Sequence, residues 1–253
     1  MAKYGKWIGL GLGVAMAGPI GAILGFAFGS MYDKMQNGDM EYKGEGHPYS
    51  GSPDYRGRAM QPGDFAASLV VLSAAIMKAD GKVLRAELDF VKQFFYKQFG
   101  QDLANENIHV LREVLKQDVN VKDVSVQISR FMDYSSRLQL LHYLFGISMA
   151  DGHVHAKEVE MISDISGFLG LSSSDFTSVK AMFYKDVNSA YQILEITPDA
   201  TDDEVKKAYR SMAVKYHPDK VSHLGEEFRE AAKEKFQKLN DAHEQIKKER
   251  GLK

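Results

Sequence analysis

No charged side chain occurs between Trp7 and Tyr32, and no other property of the chain restricts its fold so tightly. As a helix the run is long enough to cross a hydrocarbon core about 30 Å thick, so a transmembrane anchor is predicted over residues 1–36. Within and just before it, Gly5, Gly9, Gly13, Ala17, Gly21, Gly25 and Gly29 recur at every fourth position. In water so many glycines would weaken a helix. In a bilayer, small residues at that interval let two backbones approach closely, so the seam predicts a homodimer formed through the anchor. Lys3 and Lys6 before the apolar run, with Ala15-Met16-Ala17 inside it, also fit a cleaved leader, but the run continues through Phe28 and favours an anchor. Lys34 and Lys43 balance Lys3 and Lys6, so charge bias alone does not orient the span.

Residues 37–64 are rich in Gly, Pro and Tyr without apolar periodicity and read as a flexible linker. From Phe65 onward apolar residues keep three-and-four spacing and no run alternates, so the expected fold class is all-α. Helices are expected at Phe65–Ala79, Leu84–Phe99, Leu103–Lys116, Val124–Met132, Arg137–Met149, Val154–Leu169 and Ser174–Tyr184. These form a helical domain over 65–185, followed by a helical hairpin over 186–253. A hydrophobic fraction of 44% supplies real cores, and a net charge of -2 argues against nucleic acid as the main partner. The absence of cysteine excludes a disulfide framework and a cysteine-based zinc site.

The middle segment repeats itself. Ala79-Asp80-Gly81-Lys82-Val83 with Glu87 returns as Ala150-Asp151-Gly152-His153-Val154 with Glu158. One reading is structural: Asp-Gly ends a helix, Val packs the turn, and Glu sits near the next helix start where its charge suits the dipole. The other is a divalent-cation site in which Asp80, Glu87, Asp151 and Glu158 converge, and oxygen ligands suit Ca²⁺ or Mg²⁺. His153 and His155 add possible ligands in the second copy only.

Near the C-terminus, Val205, Ala208, Tyr209, Met212, Ala213 and Tyr216 form one apolar stripe of a helix. Thr201 and Glu204 make a capping-box pattern at its start, with Asp202 and Asp203 in the first turn. Pro218 disfavours helical geometry at His217, so His217 and Asp219 are presented at a rigid helix exit. Lys206 and Arg210 lie one turn apart on the exposed side, with Lys207 and Lys215 nearby. A second amphipathic helix carries Phe228, Ala232, Phe236, Leu239, Ala242 and Ile246, with Glu230, Lys233 and Lys235 between them as its polar positions.

The series Tyr191-x-x-Leu194, Lys207-Ala208-Tyr209-Arg210 and Tyr216-His217-Pro218-Asp219-Lys220 resembles a J domain, the module by which DnaJ-type co-chaperones stimulate Hsp70 ATPases. The resemblance implies that Lys206, Arg210, His217 and Asp219 contact Hsp70 (DnaK), with Pro218 holding the corner rigid. Ser211 stands where family members often carry a further basic residue, and His243 where related sequences often have tyrosine. The middle segment resembles the TerB-like helical domain, in which acidic positions of this kind are associated with metal. Taken together, the glycine-rich anchor, TerB-like domain and terminal J-like domain are similar to the DjlA-type membrane-anchored DnaJ-like co-chaperones.

That likeness implies a protein with no catalytic residues or resident cofactor of its own, apart from the cation. It would be a single-pass protein of the bacterial inner membrane with its C-terminal domains in the cytoplasm, bringing Hsp70 to unknown clients. The other reading is a TerB-like metal or envelope-stress sensor that recruits Hsp70 secondarily.

Overall fold

In the computed structural model, residues 18–29, 62–153, 155–184 and 186–251 are described, and every regular element among them is helical. Helix α1 spans 18–29. It is followed by α2 (Pro62–Met77), α3 (Arg85–Val114), α4 (Val121–Phe131), α5 (Tyr134–Ser148), α6 (Ala156–Phe168) and α7 (Ser173–Phe183). The C-terminal part comprises α8 (Ser189–Ile193), α9 (Asp202–Lys215), a 3-10 helix (Pro218–Leu224) and α10 (Glu226–Arg250).

Helix α2 organises the middle domain. Every residue from Phe65 to Met77 is buried, as expected of a helix apolar on all sides. It packs against α3, α4, α5 and α6. The two helices expected between Leu84 and Lys116 run on as α3, interrupted at Gly100, whose φ of 74° and ψ of 177° lie outside helical space. Local chemistry sets the other starts. Asn120, Asp133 and Ser172 each accept a backbone N–H three residues on, from Asp123, Ser136 and Asp175.

Helices α9 and α10 pack together, and α8 closes against α10. Met212 and Val205 from α9 and Phe228, Ala232, Leu239, Ala242 and Ile246 from α10 are buried, in line with the apolar stripes. His243 stacks on Tyr209 with ring centroids 4.1 Å apart, and Tyr209 donates its hydroxyl to Asn240 Oδ1 at 2.8 Å.

The C-terminal domain is packed onto the middle domain. Phe228 on α10 meets Phe65 and Phe94 at centroid distances of 4.8 and 5.1 Å. Gln98 donates Nε2 to Leu224 O at 2.5 Å. His223 Nε2 lies 3.3 Å from Asp133 Oδ2.

Two expected surface lysines join this seam. Lys215 Nζ lies 2.6 Å from both Asp175 and Glu195. Lys235, expected on the polar face of α10, is fully buried because that face is covered by the middle domain.

Residues 1–17 of the expected anchor, including Gly5, Gly9, Gly13 and Ala17, lie outside the described residues, as do residues 30–61, which hold the end of the expected anchor and most of the expected linker 37–64; the linker's last residues, Pro62 to Asp64, open α2. The described part, α1, packs on the bundle through Ile20, Ile23, Leu24 and Ala27. Among the described residues no helix is long and apolar enough to cross a membrane.

Candidate functional site

The polar corner is built by two caps. Thr201 Oγ1 accepts from Glu204 N at 3.3 Å while Glu204 Oε2 accepts from Thr201 N at 2.7 Å, so α9 starts at the expected capping box. At its far end Tyr216 is buried, and His217 takes extended geometry, φ -61° and ψ 129°. Pro218 then opens the 3-10 helix from its first position, where a missing N–H costs nothing.

His217 caps that turn: Asp219 N donates to His217 Nδ1 at 3.3 Å. Accepting there places the imidazole proton on Nε2, which faces away from the turn. Asp219 Oδ2 approaches the same Nδ1 only to 3.6 Å, outside hydrogen-bond range. The side chain of His217 is 53% exposed and that of Asp219 89% exposed, so both present their functional groups to solvent. The ring of Phe236 stands edge-on to His217 at 6.3 Å and limits its tilt.

Lys206, Lys207 and Arg210 are exposed on α9. Among the described residues only a loose 3.8 Å approach to Asp203 restrains Lys206 Nζ, which leaves this basic face accessible. Lys215 is not part of it. Burial pushes the Asp175 carboxyl up, but hydrogen bonds from Lys215, Ser172 and Tyr134 outweigh that and hold it below the usual carboxylate range. Lys215 therefore joins α9 to the middle domain and is closed to a further partner. The arrangement, an exposed basic helix leading to an exposed imidazole and carboxylate, can recognise an acidic surface.

The repeat forms a second polar cluster. Gly81 and Gly152 share positive φ, 86° and 79°, and Asp80 and Asp151 accept from Lys82 N and His153 N at an identical 2.8 Å. The turns are thus structural copies, although Val83 is exposed and does not pack its turn.

The glutamates differ. Glu87 Oε2 accepts from Leu84 N at 2.9 Å, whereas Glu158, equally buried, leaves Oε2 without a hydrogen-bond partner among the described residues. Ligand atoms of Asp80, His155 and Glu158 lie within 4.8 Å of one another. Burial, and next to it the charge on Glu87, raises Glu158 to about 7. Glu87 is also raised, by burial first and then by Asp80 and Asp151.

All four expected carboxylates therefore share one electrostatic neighbourhood, but only Asp80 and Glu158 belong to the close set, and His155 completes it. His153 is exposed and is not part of that set. His155 Nε2 lies 3.7 Å from Asp151 Oδ2 and, like the Glu158 oxygen, has no hydrogen-bond partner among the described residues; such a mixed nitrogen and oxygen donor set suits a transition-series divalent cation better than Ca²⁺ or Mg²⁺.

Comparison with known proteins assigns families to the same segments. Residues 1–52 match the co-chaperone DjlA transmembrane domain, residues 66–181 the tellurite resistance protein TerB, and residues 189–251 the DnaJ domain. The co-chaperone protein DjlA of Coxiella burnetii is 26% identical, covering 100% of both chains. That of Photobacterium profundum is 25% identical over 99% of this chain and 100% of its own. The Escherichia coli K12 protein of the same name is 23% identical over 100% of both. No solved structure matches. With the three families matched in this order and such relatives aligned from end to end, the chain belongs to the DjlA-type membrane-anchored, DnaJ-like co-chaperones.

Proposed function

We propose that the chain brings a bacterial Hsp70 (DnaK) to the membrane and stimulates its ATP hydrolysis through the His217-Pro218-Asp219 corner. The observation that carries this reading is the exposure of Lys206 and Arg210 on α9 and of His217 and Asp219 just beyond its end, while Val205, Met212 and Tyr216 are packed within the protein. Lys206 and Arg210 supply long-range attraction to an acidic partner surface. Pro218 and the His217 cap hold the corner in one conformation, which lowers the ordering cost of docking. The hydrolytic chemistry stays in Hsp70, so this chain acts as a regulator.

The division at 1–36, 37–64, 65–185 and 186–253 gives an anchor, a tether, a middle domain and a J domain. The C-terminal domains face the cytoplasm from the inner membrane, because Hsp70 and ATP are there in a bacterium. Close packing at Gly5, Gly9, Gly13, Ala17, Gly21, Gly25 and Gly29 pairs two anchors. A divalent cation at Asp80, His155 and Glu158 would neutralise a buried carboxylate and fix the two repeat turns. Family membership along the whole chain favours this reading over a TerB-like metal or envelope-stress sensor.

The test is ATP turnover by Hsp70 with the full chain in lipid nanodiscs, unmodified or carrying His217→Gln or Asp219→Asn. Stimulation by the unmodified chain and its loss in both variants, with unchanged thermal unfolding, is expected. Full stimulation by either variant would overturn the assignment of the corner.

A further inference from the structure

The turn between α4 and α5 lies beside the corner. The 3-10 helix begins at His217, whose carbonyl oxygen accepts from Lys220 N at 3.1 Å, and it packs on α5. Residues three apart eclipse in such a helix, so Lys220 and His223, both exposed, share one edge. At about 2 Å per residue the chain rises roughly 12 Å between His217 and His223. The edge ends on the middle domain. His223 Nε2 is 3.3 Å from Asp133 Oδ2 and 3.3 Å from Ser136 Oγ.

Between those two residues stands Tyr134, a large side chain left 39% exposed. Its hydroxyl donates to Asp175, the carboxylate that also holds Lys215 two residues before His217. The Arg137 guanidinium stands 5.3 Å from the centroid of the ring, and Arg137 is itself fixed by donating to Leu169 O. The ring is therefore held at its hydroxyl and beside the guanidinium while part of it remains in solvent. A phenol whose polar end is already paired offers mainly apolar surface, and an aromatic fixed in this way loses little freedom on contact. A stable protein interface covers about 800 Å² on each partner, a patch roughly 30 Å across. A partner seated on His217 thus covers the turn between α4 and α5 as well.

We propose that this turn, with Tyr134 as its anchor, is a second contact for the Hsp70 engaged at the corner. The inference rests on the co-chaperone reading and extends its docking surface onto the middle domain. Lys220 and His223 lead from the corner toward the ring, so the matching surface on Hsp70 carries an apolar side chain with carboxylates on the side of the corner. Any other macromolecule on the turn would have to leave before Hsp70 could dock, which favours one occupant for both. Selectivity among Hsp70s then has a source outside the tripeptide, because the basic helix reads charge while a fixed ring reads shape.

The experiment uses the full chain in lipid nanodiscs with Hsp70 and ATP. A photo-reactive benzoylphenylalanine is placed at the Tyr134 site and cross-links are mapped by mass spectrometry; the same group at exposed Leu103 on α3 reports chance encounters. Cross-linking of the Tyr134 site to Hsp70 is expected, well above that of the Leu103 site and lost when His217→Gln is added. A permanently unfolded protein is present as a competitor. Its capture in place of Hsp70 would make the turn a client surface and overturn the inference.

ATP turnover supplies the second readout. Tyr134→Ala should raise the chain concentration needed for half-maximal stimulation about fivefold, with a smaller effect on the maximal rate, whereas Tyr134→Phe, which keeps the ring and loses only the bond to Asp175, should stay within about twofold. Equal losses in the two variants would mean that the hydroxyl supports the seam and the ring contacts nothing. That result, an unaffected Tyr134→Ala, or no cross-link from the Tyr134 site would overturn the inference. If the unmodified chain fails to stimulate Hsp70, the co-chaperone reading falls first; stimulation without the Tyr134 contact removes the second surface alone.

Discussion

Replacing Lys235 with Met should make the protein more stable, and by an amount that depends on pH. The Lys235 side chain is fully buried where α10 meets the middle domain, and its Nζ has no hydrogen-bond partner among the described residues. Desolvation, with a smaller contribution from the Lys238 charge, lowers its pKa from 10.5 to about 7. Two other groups face it: the ring of Tyr216, 5.1 Å from Nζ, and His142 on α5, which is pushed well below its usual value by burial first and then by Lys235 and Lys238. At about 1.4 kcal/mol per pH unit, the displacement corresponds to a penalty of roughly 4 kcal/mol at pH 7. A desolvated cation–π contact returns only about 2 kcal/mol to the charged form, and the neutral amine dominates above pH 7.

Between pH 7 and 10.5 the unfolded chain carries this proton and the folded chain does not, so stability rises with pH across that window and is flat below it. Urea unfolding followed by far-ultraviolet circular dichroism would compare wild type with Lys235→Met. The variant should lead by roughly 2–4 kcal/mol at pH 7, after allowing for imperfect packing of the thioether. By pH 9.5 the electrostatic part of that lead should shrink to about 1 kcal/mol. A lead that does not change with pH, or a less stable variant at pH 7, would refute the idea that Lys235 is an unpaired buried amine.

Further outcomes follow from the same seam and from the repeat. Asp175→Asn removes the charge that holds Lys215 against the middle domain and should cost about 3 kcal/mol in urea unfolding. Because the Asp175 carboxyl is held below its ordinary value in the folded protein, its stabilisation is present above the usual carboxylate range and disappears as pH falls through the folded value; the variant should lack that part of the acid transition. Gly225→Ala forces a side chain onto a residue with φ 109° and places its Cβ 2.3 Å from Gln98 Nε2. A loss of about 2–3 kcal/mol is expected, and adding Gln98→Ala should recover only the steric part; complete recovery would mean that backbone strain contributes nothing. Calorimetry on the full chain should show Zn²⁺ or Mn²⁺ binding more tightly than Ca²⁺, with loss of heat in Glu158→Gln and in His155→Ala; equal affinity for all the ions would dismiss the mixed donor set.

What could be read from the sequence was local. The α9 capping box, the Pro218 stop and the paired Asp-Gly turns depend on residues a few positions apart, and spacing alone determines them. The second face of α10 could not be read this way. Its periodicity identifies one apolar stripe, and Lys235 falls outside it; only the approach of α5 and α3 from another domain turns that position inward. His155 presents the same difficulty. It lies outside the repeated Asp-Gly and Glu positions, and its place beside Asp80 depends on the turn after α2 and the turn before α6 being brought together by the fold. The burial of α1 had no local signal either, since a stripe that suits lipid also suits an apolar groove.

The seam has a consequence for how the corner is aimed. A J domain on a free tether would carry its basic helix in all orientations, but here the 3-10 helix that follows His217 is held at both its late positions. Leu224 O accepts from Gln98, and His223 lies against Asp133. Lys215 pins the last turn of α9 from the other side. Three restraints around one corner fix its orientation relative to the middle domain while Lys206, Arg210, His217 and Asp219 remain outside the contact. An Hsp70 engaged at the corner would therefore meet the middle domain in one geometry, and the cost of ordering the two domains is met before it docks.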